Sequence, residues 1–270
     1  MLRRVWMTVL GGFIVCAGAN AQLVEKYEPV RANCCLAGQA KSLADQLQDW
    51  NQLGRYHDAN EELKAQPAEA KRVVFMGDSI TDMWKLGESF PGKPYIDRGI
   101  SGQTTAQMLV RMYPDVVDLK PAAVIILAGT NDIAQNNGPQ TITMVEENLK
   151  AMTELAQKHG IQVILCALLP ISDYAPMPMA RGNPLQAADG PRPKLIQSTR
   201  RPPSQIVQLN QWLKNYAASA GADYADYFSA VVDDKGMLKE GFSDDGLHPN
   251  TKGYALMAPV AEAAIARVLR

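Results

Sequence analysis

Two spacings of apolar and polar residues alternate along the chain. The first is a short run of consecutive apolar residues that stops at glycine or at a small polar residue, as in Arg72-Val-Val-Phe-Met-Gly77-Asp78-Ser79. Pro121 to Ala128 and Ile161 to Leu169 repeat it, Ala222 to Tyr227 is a last candidate, and Tyr95 to Thr104 is a shorter strand running into a glycine loop. Runs of this length without alternation predict strands covered on both faces. The second spacing is helical: Gln103 to Tyr113, Thr141 to Lys158 closed by Gly160, Ser204 to Ala218 and Asn250 to Leu269 place apolar residues at intervals of three and four. Strands alternating with helices predict βα units and a parallel sheet.

The remaining segments fit neither spacing. Gln22 to Ser42 has no clear period and reads as an arm, and Ala44 to Gln66 reads as a helix ended by Pro67, with Leu47, Trp50, Leu53 and Tyr56 near a helical spacing. Trp50, Tyr56 and His57 are expected to pack against the sheet. Ile171 to Pro203 carries seven prolines and a local excess of basic residues, Arg181, Arg192, Lys194, Arg200 and Arg201 among them. It reads as one long loop leaving the same sheet edge as Ser79, either shaping a pocket or projecting into solvent.

Composition then narrows the class. With 270 residues, 47% hydrophobic content and a net charge of -1, the chain can bury one substantial core and shows no basic stripe that would meet nucleic acid. Arg3 and Arg4 precede the apolar run Val5 to Cys16, and Ala19-Asn20-Ala21 follows as a small-x-small site. Residues 1–21 are therefore expected to be a signal peptide cleaved after Ala21, making the protein secreted or periplasmic. The apolar run is shorter than the roughly 20 residues of a membrane span, so no stable span is expected after cleavage. The organisation is then 1–21 signal peptide, 22–66 arm and helix, and 67–270 one domain containing the loop 171–203. Of the cysteines outside the leader, Cys34 and Cys35 are adjacent and Cys166 reads as a buried core thiol, so no disulfide framework follows. With three histidines and no histidine or cysteine pair at ligand spacing, neither a structural nor a catalytic zinc is expected.

The candidate chemistry starts at Ser79, at the carboxyl end of a strand, where open α/β sheets bind ligands. A serine hydroxyl needs a base, and a histidine base needs a carboxylate to hold its tautomer. Asp245-Gly-Leu-His248 offers both from one turn-rich stretch, whereas His159 closes a helix and His57 lies in the early one. Donors for an oxyanion would be the backbone N–H of Ser79, that of Gly102 and the side-chain amide of Asn131. Taken singly, Gly102 could be a turn residue, Asn131 a loop cap and Asp245 a surface acid. Gly99-Ile-Ser101-Gly102 continues with Gln103, so no Gly-x-Ser-x-Gly elbow is present and Ser101 is a poor second nucleophile.

Gly77-Asp78-Ser79, Gly102, Gly129-Thr-Asn131-Asp132 and Asp245-x-x-His248, in that order, resemble the four blocks of the SGNH hydrolase, or GDSL esterase/lipase, family. The resemblance spans Arg72 to the carboxyl terminus. It implies Ser79 as nucleophile, His248 as base, Asp245 as its orienting carboxylate, and Ser79, Gly102 and Asn131 as the oxyanion hole. It also implies a three-layer α/β/α sandwich with a five-stranded parallel sheet of flavodoxin-like order, and catalysis without metal or cofactor. The activity implied is serine-dependent hydrolysis of a carboxylic ester through an acyl-enzyme. With export, short-chain or acetyl esters of small molecules or carbohydrates come first. Lysophospholipase, thioesterase, O-acyltransferase and a non-catalytic binding module are the alternatives.

Overall fold

The computed structural model describes residues 44, 47–67, 69–174 and 196–270. The expected signal peptide, Cys34, Cys35 and residues 175–195 of the Pro-rich segment lie outside the described residues. Ala44–Arg270 forms one compact unit. Its strands are β1 (Val73–Gly77), β2 (Tyr95–Gly99), β3 (Ala123–Leu127), β4 (Gln162–Cys166) and β5 (Asp223–Ala225). They form one five-stranded sheet, all parallel, in the order β2-β1-β3-β4-β5. This is the flavodoxin-like order, with its switch point between β1 and β3. The main helices are α1 (His57–Lys64), α2 (Ser79–Asp82), α3 (Thr105–Val110), α4 (Ile142–Lys158), α5 (Pro203–Ala220) and α6 (Thr251–Val268).

Side chains alternate across a strand, and here both faces are apolar. Val74, Met76, Val124, Ile126, Val163 and Leu165 meet Leu149 and Met152 of α4 and Leu209 and Leu213 of α5. On the opposite face Val73, Phe75, Ile125, Leu127, Ile164 and Cys166 meet Met257, Ala261 and Ile265 of α6. Burial on both sides explains why β1, β3 and β4 read as apolar runs, and it gives three layers. Cys166 is buried in the second of these cores.

Three segments differ from the sequence reading. The single helix from Ala44 to Gln66 is interrupted, because the Asp49 carboxylate accepts the backbone N–H groups of Leu53 and Gly54 at 2.8 Å each, and Gln52 adopts a left-handed conformation. An aspartate that captures local N–H groups competes with the helix. Trp50 is 49% exposed and His57 is also exposed, so neither packs against the sheet; Tyr56 does, donating its hydroxyl to the Gly99 carbonyl. The helix from Gln103 to Tyr113 breaks at Arg111, and a separate turn covers Met112–Asp115. In the Pro-rich segment, Gln197–Arg200 is a helical turn rather than loop, and Pro203 opens α5 at a position where its missing N–H costs nothing.

Behind β1 lies a buried polar staple. Arg111 is fully buried and donates to the Gly77 carbonyl at 3.0 Å, to Gln103 Oε1 at 2.6 Å and to Asp115 Oδ2 at 2.9 Å. Asp115 Oδ1 in turn accepts from Asn60 Nδ2 at 2.6 Å, and Asn60 Oδ1 accepts from Arg98. Asn60 is the buried residue of α1, so that helix docks through a polar side chain, beside which Leu63 packs partly buried against the core. Replacing Arg111 by Met strands the Asp115 carboxylate, which should cost about 3–5 kcal/mol in urea unfolding. Adding Asp115→Leu should recover at least half of that loss, and an Arg111→Met protein as stable as the parent would contradict the staple.

Candidate active site

The sheet register brings the candidate residues together. Gly77 of β1 lies opposite Gly99 of β2 and Leu127 of β3, so three strands end level. Each then makes a short excursion, reaching Ser79, Gly102 and Asn131 along one edge. Close approach is required between α2 and β2: a Cβ on Gly99 would lie 2.1 Å from the Asp82 nitrogen.

His248 reaches Ser79 from the far end of the chain. Ser79 Oγ lies 2.8 Å from His248 Nε2, and His248 Nδ1 lies 2.6 Å from Asp245 Oδ2. A carboxylate only accepts, so Nδ1 carries the proton and Nε2 faces the serine hydroxyl as an acceptor. Asp245 Oδ1 is held by the N–H groups of Leu247 at 2.9 Å and His248 at 2.8 Å. The loop itself is pinned at Gly246, whose φ of 79° suits glycine and whose carbonyl accepts from Ser172 N at 2.8 Å. A Cβ there would meet the Ser172 carbonyl oxygen at 2.0 Å. Asn250 then caps α6, and Tyr254 of α6 donates to the Ile80 carbonyl of α2 at 2.8 Å, which fixes the two halves against each other.

The motif acids have distinct surroundings. Partial burial pushes the Asp245 carboxyl up, but the His248 ring and the two backbone N–H groups outweigh it and hold the carboxyl well below its ordinary value. Full burial pushes Asp78 up to about 6, against the pull of the Ile80 N–H that Oδ1 accepts. Its Oδ2 has no partner among the described residues. Asp78 is the N-cap of α2, and Asp132 accepts the N–H and hydroxyl of Thr105 at the start of α3. Both are structural caps. Burial also raises Asp132.

At the oxyanion candidates, neither the Ser79 N–H nor the Gly102 N–H is engaged by another described residue. Asn131 is 2% exposed; its Nδ2 donates to the Gln103 carbonyl at 3.1 Å, and its Oδ1 accepts from Asn136 Nδ2 and Arg201 Nη2. Gln103, Asn136, Gln197 and Arg201 were not singled out as site residues by the sequence, since single polar side chains in turns carry no period. Ser101 is bound to Asp82, away from any histidine contact, and His159 is exposed beside Tyr113.

Burial of Asp78 and pairing of Asp245 set opposite pH dependences. The folded value of Asp78 lies above that of the unfolded chain, near 4, so its carboxylate is a penalty above pH 6 that is relieved as pH falls towards 4. Asp245 has the depressed value, so its contribution is present above about pH 4 and is lost as pH falls below that. Asp78→Asn should therefore stabilise the protein by roughly 1–3 kcal/mol at pH 8 and by almost nothing at pH 4. Urea unfolding at the two pH values checks this, and a variant less stable than the parent at pH 8 would contradict it.

Comparison with known proteins gives the family. The model of the GDSL-like lipase/acylhydrolase family matches residues 75–256. A solved protein of Bacteroides fragilis, assigned as an acylhydrolase, is 38% identical with a TM-score of 0.70, covering 82% of this chain and 99% of that one. The lipoprotein YqeF of Bacillus subtilis is 39% identical over 79 residues, 28% of this chain and 32% of that protein. Esterase TesA of Pseudomonas aeruginosa is 29% identical over 128 residues, 42% of this chain and 62% of that protein. The chain thus spans less than two thirds of either curated relative, whereas it spans nearly all of the solved one. A family model that matches most of the chain means that this chain belongs to the GDSL-like lipase/acylhydrolase family, also called SGNH hydrolases, a family of carboxylic ester hydrolases.

Proposed function

We propose that this chain hydrolyses short-chain carboxylic esters through an acyl-enzyme on Ser79. The observation that carries the reading is the unbroken hydrogen-bonded series from Ser79 Oγ through His248 to Asp245. Ser79 Oγ attacks the ester carbonyl while its proton passes to His248 Nε2, and Asp245 steadies the imidazolium that forms. The oxyanion of the tetrahedral intermediate is held by the N–H groups of Ser79 and Gly102 and by Asn131 Nδ2. Collapse breaks the ester C–O bond, and the leaving alcohol takes the proton from His248. Water, activated by the same histidine, then attacks the acyl-enzyme and releases the acid and free Ser79.

A carbohydrate is the favoured alcohol portion of the substrate. Beside the loop that carries Gly102 lies a cleft of about 320 Å³, lined by Trp50, Thr104, Asn137, Gln140, Glu147 and Asn148. Amide and carboxylate groups suit sugar hydroxyls, and an exposed indole suits the apolar face of a pyranose. Export through the leader at residues 1–21 would bring the protein to such substrates. A curated relative is named a lipoprotein, and no helix among the described residues is long and apolar enough to cross a membrane.

p-Nitrophenyl esters from acetate to long acyl chains test the chemistry. Ser79→Ala and His248→Ala should each lower kcat by about 10⁴-fold or more, and Asn131→Ala by about 10²–10³-fold, with acetate the best substrate. Trp50→Ala should lower kcat/KM for an acetylated oligosaccharide by a larger factor than for p-nitrophenyl acetate. Full activity in Ser79→Ala would overturn the reading. A long-chain optimum would reassign the enzyme as a lysophospholipase or thioesterase, and acyl transfer to an added sugar would reassign it as an O-acyltransferase.

A further inference from the structure

Arg201 is 3% exposed, yet among the described residues it pairs with no carboxylate. Its donors go to neutral oxygens: Nε to the Thr130 carbonyl at 3.2 Å, Nη1 to Gln197 Oε1 at 3.0 Å and Nη2 to Asn131 Oδ1 at 3.1 Å. Burying a guanidinium forfeits its hydration, and neutral acceptors offset that less well than a carboxylate would. Stability alone therefore gives a weak account of this residue. Position gives a better one, because two of its three contacts fall on the Thr130-Asn131 pair.

We propose that Arg201 is a positioning residue for the esterase reaction, holding the Asn131 carboxamide so that a Nδ2 hydrogen is presented to the forming oxyanion. The inference rests on the acyl-enzyme reading above. A guanidinium only donates, so it fixes Oδ1 of Asn131 towards itself and turns Nδ2 the other way. Asn136 Nδ2 donates to the same oxygen at 2.9 Å, and Asn136 is held in turn by Arg200 Nη2 at 2.9 Å. On the other side, one Nδ2 hydrogen goes to the Gln103 carbonyl at 3.1 Å, leaving the second for a ligand. Charge-assisted donation into Oδ1 draws electron density from the amide and makes Nδ2–H a stronger donor. The same helical turn reaches the acid loop, since Gln197 Nε2 donates to the Asp245 carbonyl at 3.1 Å. The returning end of the Pro-rich segment thus braces the oxyanion donor and the loop of the triad acid together.

A double-mutant cycle on p-nitrophenyl acetate tests this, with Arg201→Met, Arg201→Lys, Asn131→Ala and the Arg201→Met/Asn131→Ala pair, each checked for a cooperative thermal transition. Arg201→Met should lower kcat by about 10–100-fold, less than the roughly 10²–10³-fold of losing an oxyanion donor outright, while KM moves by less than about threefold. Arg201→Lys should recover part of the loss, because an ammonium can reach Asn131 Oδ1 but cannot bridge three acceptors. In the Asn131→Ala background, Arg201→Met should cost less than about threefold more, since its target is already gone. Multiplicative losses in the double variant, or a loss confined to KM, would overturn the positioning role. Ser79→Ala, assayed alongside, separates the two readings: full activity there would sink the reaction itself, whereas its loss together with multiplicative Arg201 effects would sink the positioning role alone.

Discussion

The contact between Ser79 Oγ and His248 Nε2 spans 169 positions of sequence at 2.8 Å. A hydrogen bond of that length tolerates shifts of only a few tenths of an ångström, so both elements must be fixed from outside. On the serine side this is done by the level ends of β1, β2 and β3, by the Asp78 cap and by a helix that crosses Gly99 with no room for a side chain. On the histidine side it is done by Gly246 against Ser172, by the Asn250 cap and by Tyr254 reaching back to the Ile80 carbonyl. The apolar faces of the sheet hold these parts at the right height, while polar contacts set their rotation.

That division explains why so much polar material is buried close to the site. Arg111, Arg98, Asn60 and Asp115 form one connected group under the end of β1, and Arg201, Gln197 and Asn131 form another around the turn after β3. Buried networks of this kind add little net stability, but each member restricts the orientation of the next. At an oxyanion site orientation matters more than affinity, because the donors must already point at a charge that exists only in the transition state.

The centre of the sheet was legible because β1, β3 and β4 are buried on both faces and survive as plain apolar runs, whereas β2 and β5 are only partly buried and carry Asp97, Arg98 and Asp223. The candidate residues Ser79, Gly102, Asn131, Asp245 and His248 were legible because each follows the end of a strand or precedes a helix, where residue type carries meaning. What escaped were features decided by a single side chain capturing its neighbours. Asp49 takes the N–H groups of Leu53 and Gly54 and ends the early helix, and no apolar period records that. Arg201 looked like one more basic residue in a proline-rich stretch, since burial of a lone guanidinium depends on carbonyl and amide oxygens supplied by Thr130, Asn131 and Gln197.

The central claim is that His248 activates Ser79, and covalent labelling reports on it without any assumption about the natural ester. Treating the protein with diisopropyl fluorophosphate and mapping the adduct by mass spectrometry should give a single modification on Ser79, slowed at least about 10³-fold in His248→Ala, because the hydroxyl is a poor nucleophile without its base. Labelling at Ser101, or equally fast labelling of Ser79 without the histidine, would contradict the account.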